Sequence, residues 1–441
     1  MRFTVITEHL HLKAQQLKIE VLGTIIFTFA VLHTFLTAPF LRYSHHFPED
    51  SFRRGLFHLL GEVEVVFGFW AGLFFILFAF LEGLPAVIAY QENLDFTEPL
   101  FVFVIMVMAS TKPVLYFARG FIQKLSYAIQ KAAKTSSQTT DFFVILSLGP
   151  LLGSFITEPA AMTVTALLIR QLAKEVPKRL AYFLLAILFV NISIGGALTP
   201  FAAPPILMVA KTWSWDFSYV FLNFGLPSLL AVSINSFLFV IYFKTELAAS
   251  FYSLKDVSEK QNRLSAMPSW VIILHLLFLI LVVLSAHYQN VFMGIFLFFV
   301  GITVATKTHQ EPLRIRQSLL VSFFLGGIIF FGAFQKWWLQ PLLETLGETS
   351  LFFGSVALTA VTDNAALTYL GSQVQNISEA SKVALVSGAI SGGGLTVIAN
   401  APNAAGYSIL ADLFPEKIVS PMGLLLAALI PTTITVVCFV L

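Results

Sequence analysis

The sequence predicts an all-α polytopic membrane protein, and three observations support this fold class. Hydrophobic residues make up 57% of the 441 positions and charged residues only 11%, whereas soluble domains carry about 25% charged residues. Apolar runs of about 20 residues, the length that a spanning helix needs, recur along the chain. Interrupted apolar segments of similar sequence occur in both halves, as they do in proteins built from two repeats.

Composition also excludes several classes of protein. The 26 basic and 24 acidic residues nearly balance, so we expect no nucleic-acid partner. A single cysteine, Cys438, excludes a disulfide scaffold and a thiolate metal cluster. The sequence contains no Walker, HExxH or GxSxG motif. We therefore expect neither an enzyme nor a bound cofactor.

The apolar runs divide the chain into two repeats of about five spans each, joined by a linker. We expect an interfacial segment over residues 1–20, a first repeat over 21–243, a cytoplasmic linker over 244–268 and a second repeat over 269–441. The ten predicted spans are 21–41, 57–82, 99–118, 180–210, 217–243, 269–286, 291–306, 319–338, 382–410 and 421–441.

Two further apolar segments, 141–170 and 349–371, are interrupted by polar clusters. Thr157-Glu158-Pro159 divides the first segment and Thr362-Asp363-Asn364 divides the second. The arms on either side have about 8–16 residues, too few to cross a bilayer. We predict one re-entrant hairpin in each repeat. Irregular backbone at this depth must be buried in protein or line a wet cavity.

Two predicted spans are also discontinuous, about 180–210 and about 382–410. Gly195 and Gly196 lie at the first break, and Gly392, Gly393 and Gly394 lie at the second. Glycines followed by proline interrupt a helix and release backbone groups from hydrogen bonds.

The interruptions recur in the same order in both halves. Aligning Gly195 with Gly392 also aligns Leu198 with Leu395 and Thr199 with Thr396. The two repeats are predicted to be inverted, because most Lys and Arg residues then fall in cytoplasmic loops. The N-terminus is the exception, since it carries basic residues and is assigned to the outside.

Glu158 and Asp363 are the leading candidates for an ion- and proton-binding site. An acidic residue inside a bilayer costs about 2.5–3.5 kcal/mol on insertion scales and is rare without a function. Burial favours the neutral form of a carboxyl group and a bound cation favours the charged form. Such a group can hold a proton or sodium, but not both. The alternative is that each acid pairs with a buried base or caps a half-helix.

Other polar residues at the interruptions are candidates to complete the site. Thr157, Thr362 and Asn364 adjoin the two acids, and Thr199, Thr396, Asn400 and Asn403 follow the glycine pairs. Their oxygens, with carbonyls released at the glycines, could coordinate a cation. Alternatively, the small residues permit close helix packing.

A separate charged group comprises Glu62, Glu64 and Lys112. We expect Lys112 and Glu62 to lie at the same level of neighbouring spans, where a buried ion pair would avoid an unpaired charge. The alternative is a proton-relay role for Glu62 or Glu64.

The residues Ala360-Val-Thr-Asp-Asn-Ala-Ala-Leu367 and the break Gly195-Gly196-Ala-Leu-Thr-Pro200 resemble those of NhaD-type sodium/proton antiporters. The stretch Leu60–Gly68 is similar to that of a bacterial, chlamydial-type sodium/proton antiporter family. The resemblance implies a moving domain built around two hairpins, a homodimer, and a multi-pass protein of the bacterial inner membrane. By position it places the NhaD-type Asp-Asn pair on Asp363 and Asn364.

These observations predict a secondary transporter that exchanges sodium for protons across the lipid bilayer, with sodium bound at Asp363 and Glu158. The alternative is a sodium-coupled carrier of a small organic anion, as occurs in the same superfamily. Two acidic hairpin tips would repel a dianion, and this favours a cation.

Overall fold

The computed structural model describes residues 2–34, 36–133, 137–255, 267–286, 288–414 and 419–441. Within these ranges the chain is helical and contains no strand beyond one backbone bridge between Ala173 and Phe251. The predicted all-α class is therefore confirmed.

The helices of the first half follow one another with short connections. Their bounds are α1 Arg2–Thr34, α2 Thr37–Ser44, α3 Phe52–Leu60, α4 Val63–Glu82, α5 Leu84–Glu92, α6 Thr97–Ala109, α7 Lys112–Ala133, α8 Ser137–Ile156, α9 Glu158–Leu172, α10 Lys178–Gly195, α11 Pro204–Ala210, α12 Phe217–Val220, α13 Leu226–Tyr242 and α14 Lys244–Ser250. A π-helical turn, Phe221–Gly225, joins α12 to α13.

The second half is also helical. Its helices are α15 Ser269–Leu284, α16 Gln289–Ala305, α17 Ile315–Gly332, α18 Lys336–Thr345, α19 Glu348–Thr359, α20 Asn364–Ser372, α21 Glu379–Gly392, α22 Pro402–Leu410 and α23 Pro421–Val440.

Several helices are long and apolar enough to cross a membrane. Among the described residues six qualify, Val65–Glu82, Ser137–Ile156, Lys178–Gly195, Phe217–Tyr242, Ile315–Thr345 and Pro421–Val440, and the bent pair α6–α7 would make a seventh. Helices α15 and α16 are apolar but shorter. The chain is therefore a multi-pass membrane protein, as predicted.

Three predicted spans differ from the observed helices. The span predicted at 21–41 is divided, because α1 ends at Thr34 and α2 begins at Thr37. The span predicted at 57–82 is divided, because α3 ends at Leu60 and α4 begins at Val63. The span predicted at 99–118 bends by 69° between α6 and α7. Pro113 explains the bend between α6 and α7, because proline has no N–H to donate and its ring would clash with the carbonyl four residues earlier, that of Ala109.

The first interrupted segment folds back on itself at Thr157. Gly149 of α8 lies against Thr165 of α9, and a methyl group on Gly153 would lie 3.4 Å from Cβ of Ala161. These pairs are equidistant from Thr157, so the helices run antiparallel. The expected arm length was wrong for α8, which begins at Ser137 and has 20 residues. That length is sufficient to span.

Both discontinuous helices break near their glycines. Helix α10 ends at Gly195 and α11 begins at Pro204, while α21 ends at Gly392 and α22 begins at Pro402. In α10, 78% of the spanning window is buried, against 39% in α23. Helix α10 is therefore central in its part of the molecule, and α23 is peripheral.

The described chain forms two compact units. Unit 1 comprises Met1–Leu100, Leu319–Leu346 and Tyr369–Ser378, and unit 2 comprises Phe101–Ser318, Gly347–Thr368 and Glu379–Leu441. Each contains segments from both halves of the sequence. The division into two repeats stays a prediction, and residues 256–266 of the predicted linker lie outside the described residues.

Aromatic packing dominates the core of unit 1. The ring of Phe74 lies 5.8 Å from that of Phe331 and 5.1 Å from that of Phe334. Unit 2 is built around α10 and contains both glycine breaks, Glu158 and Asp363.

Candidate functional site

Glu158 begins α9 directly after a strained turn. Thr157 has φ 72° and ψ 151°, a conformation that costs a residue other than glycine about 1–3 kcal/mol. Pro159 occupies an early helical position, where its fixed φ suits a helix start. The turn therefore places the Glu158 carboxylate at the point where α8 and α9 meet.

The Glu158 side chain is fully buried. Its Oε2 accepts a hydrogen bond of 2.7 Å from Nδ2 of Asn400, and its Oε1 accepts none from any described residue. The first glycine break lies against it, because a methyl group on Gly196 would be 2.6 Å from Oε1. A buried carboxylate oxygen without a partner is costly, which makes Oε1 a candidate ligand for a cation or a site for a proton.

Asp363 is held differently, by the backbone at the start of α20. Its Oδ1 accepts hydrogen bonds from the N–H groups of Ala365 at 2.9 Å and Ala366 at 3.1 Å. The N–H of Ala401 also donates to this carboxylate. Asp363 thus caps α20, the alternative that the sequence left open, and it also contacts the second glycine break.

Residues 399–401 link the two acids. Asn400 donates to Glu158, Ala401 donates to Asp363, and the carbonyl of Ala399 accepts from the N–H of Asn364 at 3.1 Å. Asp363 also interacts electrostatically with Glu158. The structure therefore brings the two predicted acids into one site, through a segment of three residues.

Asn364 lies between the two broken helices. Its Nδ2 is 3.5 Å from Oγ of Ser193, and Ser193 donates to the carbonyl of Ile390 at 2.7 Å. A methyl group on Gly393 would lie 2.8 Å from the same Nδ2. The glycine permits this close approach of α10, α20 and α21.

The threonines after the glycine pairs make the same contact in both halves. Thr199 donates to the carbonyl of Ser154 at 2.8 Å, and Thr396 donates to the carbonyl of Ala360 at 2.9 Å. Each accepting carbonyl lies three or four residues before the acid. Both hydroxyl groups therefore anchor a break to the helix end beside it.

Some carbonyls released at the glycines already have partners. Ser154 donates to the carbonyl of Gly195 at 2.8 Å, and Asn403 donates to those of Gly393 at 2.8 Å and Thr396 at 2.9 Å. These bonds hold the breaks in shape. They leave the amide oxygen of Asn403 unbonded among the described residues.

Several buried oxygens of this site make no hydrogen bond to any described residue. They belong to Thr157, Glu158, Thr359, Asn364, Asn400 and Asn403. Most buried polar atoms in proteins have a partner. Oxygens are also the ligands that hard cations prefer, so these atoms are candidate ligands for a small cation.

Carboxylates alone do not form such a site. No group of three or more His, Cys, Asp or Glu side chains in the described part of the chain could hold a metal ion. A cation here would need the neutral oxygens of Asn and Thr in addition to the two acids.

The remaining predicted site residues either lie away from the two acids or interact with other partners. Thr362 is half-buried and donates to the carbonyl of Leu358. Nδ1 of His58 is 3.4 Å from Oε1 of Glu62, and Nζ of the half-exposed Lys112 is 3.8 Å from Oε1 of Glu311. The Glu62–Lys112 pair stays a prediction, and the Glu64 side chain lies outside the described residues.

Three residues of the site were not predicted from the sequence: Ser154, Ser193 and Thr359. Each is buried, and Ser154 and Ser193 bond to the broken helices. The signal was present, since Ser154 and Thr359 each stand four residues before an acid and Ser193 stands two residues before the first glycine pair.

Comparison with known proteins gives a family. A family model described as "Putative Na+/H+ antiporter" matches residues 18–441. No curated protein matches the chain.

Proposed function

The chain belongs to this Na+/H+ antiporter family, and from that premise we propose that Glu158 and Asp363 form the exchange site. The chain is thus a multi-pass transporter that carries Na+ and H+. In our proposal one small cation and the transported proton compete for the same oxygens. The family match does not assign these residues, and the assignment rests on the contacts around them.

The observation that carries the proposal is the unpartnered Oε1 of the fully buried Glu158. Asn400 stabilises the charged form of Glu158 by donating to Oε2. The amide oxygens of Asn364 and Asn400 supply neutral ligands nearby. Sodium bound there would compensate the charge on Oε1, whereas a proton on Oε1 would remove that charge.

Exchange follows from this competition if access alternates between the two sides of the membrane. A proton on the carboxyl group removes the charge that attracts sodium, and bound sodium disfavours protonation. Thr199 and Thr396 each tie a glycine break to the end of a neighbouring helix. The interrupted helices should therefore move together with the helices to which they are tied. We propose that this movement takes place in the bacterial inner membrane, in a homodimer.

The test is sodium-driven proton movement in proteoliposomes, followed with a trapped pH-sensitive dye. We expect wild-type protein to change the internal pH when sodium is added, without any organic anion. Glu158→Gln and Asp363→Asn should each abolish the response, because the amides cannot exchange a proton for a cation. Glu311→Gln is the matched control, since Glu311 is an exposed acid paired with Lys112.

Sodium-driven proton movement by Glu158→Gln at the wild-type rate would overturn the assignment of Glu158. The same result for Asp363→Asn would reduce that residue to a helix cap. A response that required both sodium and a carboxylate substrate would instead establish the carrier of organic anions.

A further inference from the structure

A groove in unit 2 lies apart from the exchange site. It has a volume of about 550 Å³ and is formed by α10, α13 and α23, a size typical of ligand pockets. All three helices are long and apolar enough to span a membrane. Leu238, Ile241 and Ile430 line the groove and are each about half exposed, at 47%, 54% and 59%. The groove therefore opens onto an exposed apolar surface of these helices.

The walls of the groove are apolar over most of their length. Phe183 and Ile187 of α10 line it together with Phe239 of α13 and Ile434 of α23. Asn235 is the polar residue of this wall, and its amide group is held by Asn191. Such walls favour a hydrocarbon chain over a polar ligand.

One end of the groove carries positive charge. Arg179 donates to the hydroxyl group of Tyr242, and its guanidinium lies 5.2 Å from the Tyr242 ring and 5.7 Å from the Phe243 ring. Arginine has five N–H donors in a geometry that suits phosphate, and the bond to Tyr242 uses one.

The length of the groove matches one leaflet. Arg179 stands at the start of α10 and Ile187 lies eight residues further along, which is about 12 Å of helix. One leaflet contributes roughly 15 Å of hydrocarbon. An acyl chain whose headgroup lies at Arg179 would thus fill the groove from the interface to near the bilayer centre.

We propose that this groove binds an anionic phospholipid, with one acyl chain along α13 and the phosphate at Arg179. The charge at one end and the apolar walls complement the two ends of such a molecule. The proposal is independent of the exchange site, because it depends only on residues of the groove.

The test is native mass spectrometry of the purified protein with dioleoylphosphatidylglycerol or dioleoylphosphatidylcholine. We expect each chain to retain one phosphatidylglycerol tightly. Phosphatidylglycerol should be preferred over phosphatidylcholine by about fivefold, because its net negative charge is attracted to Arg179. Arg179→Gln should abolish the preference, and Arg179→Lys should retain most of it. Leu238→Trp should displace either lipid by filling the groove.

Matched controls separate the groove from general effects. Leu230→Trp changes an equally exposed residue of α13 outside the groove, and Arg314→Gln removes a charge elsewhere. Both should bind lipid as the wild type does. Equal retention of the two lipids by wild-type protein, unchanged preference in Arg179→Gln, or displacement of the lipid by inorganic phosphate alone would overturn the proposal.

Discussion

Glu158 and Asp363 differ in how the protein holds them. The Oδ1 atom of Asp363 accepts hydrogen bonds from two backbone N–H groups, so part of its role is to cap the start of α20. Glu158 bonds to Asn400 through Oε2 and has no described partner at Oε1. At the scale of single residues, Glu158 is therefore the better group for exchanging a proton with a cation, and Asp363 contributes charge beside it.

Position 196 requires glycine because it lies too close to the Glu158 side chain to admit a larger residue. We expect Gly196→Ala to abolish exchange, because its methyl group would lie 2.6 Å from Oε1 and 2.7 Å from Cγ of Glu158. Overpacking of this kind costs about 1–3 kcal/mol, so the melting temperature should also fall. Dye-reported exchange and thermal unfolding in detergent measure the two effects.

Gly354→Ala is the control for that substitution, since nothing lies within 4 Å of the added methyl group. It should leave exchange and melting temperature nearly unchanged. Normal exchange in Gly196→Ala would mean that the Glu158 carboxylate can move away without loss of function.

The sequence predicted both acids and the glycines, because charge and helix-breaking residues are conspicuous in an apolar chain. It could not predict which partner each acid would have. The bond between Asn400 and Glu158 joins residues 242 positions apart, and no local pattern encodes it. For the same reason the roles of Ser154 and Ser193 emerge only from the folded chain.

At the scale of helices, the two breaks share one anchoring contact. Thr199 and Thr396 each donate to a carbonyl at the end of the helix that precedes an acid. The sequence predicted where the helices break, since Gly and Pro mark those positions. It underestimated α8, because the polar residues Ser137–Thr140 still belong to that helix.

We expect Thr199→Val and Thr396→Val to lose similar amounts of stability. Each replaces the hydroxyl group with a methyl group and removes one hydrogen bond, which is worth about 1 kcal/mol. Thermal unfolding of each purified variant in detergent measures the loss.

Thr433→Val provides the comparison, because Thr433 is exposed and donates within its own helix to Leu429. Its melting temperature should stay close to that of the wild type. A loss in only one of the two anchoring variants would contradict the equivalence of the two breaks.

At the scale of the whole molecule, the family match over residues 18–441 confirms the predicted membership of a sodium/proton antiporter family. The relation to NhaD-type proteins stays a prediction. Composition and apolar runs were sufficient to predict a helical, multi-pass protein. The two units could not be predicted, because each joins segments that are distant in sequence.

If Glu158 and Asp363 form the exchange site, sodium and protons must compete for binding to the intact protein. The most direct measurement is a sodium titration of the purified protein in detergent at successive pH values, read from the melting temperature. We expect sodium to stabilise the wild type, by about 2.7 kcal/mol at a hundredfold excess over Kd. With one competing proton, the apparent Kd should weaken about tenfold for each unit fall in pH below the pKa of the site.

Glu158→Gln should lose the sodium response while remaining folded. An apparent Kd for sodium that is the same at every pH would contradict competition between sodium and a proton. A sodium response in Glu158→Gln equal to that of the wild type would contradict the placing of that competition at Glu158.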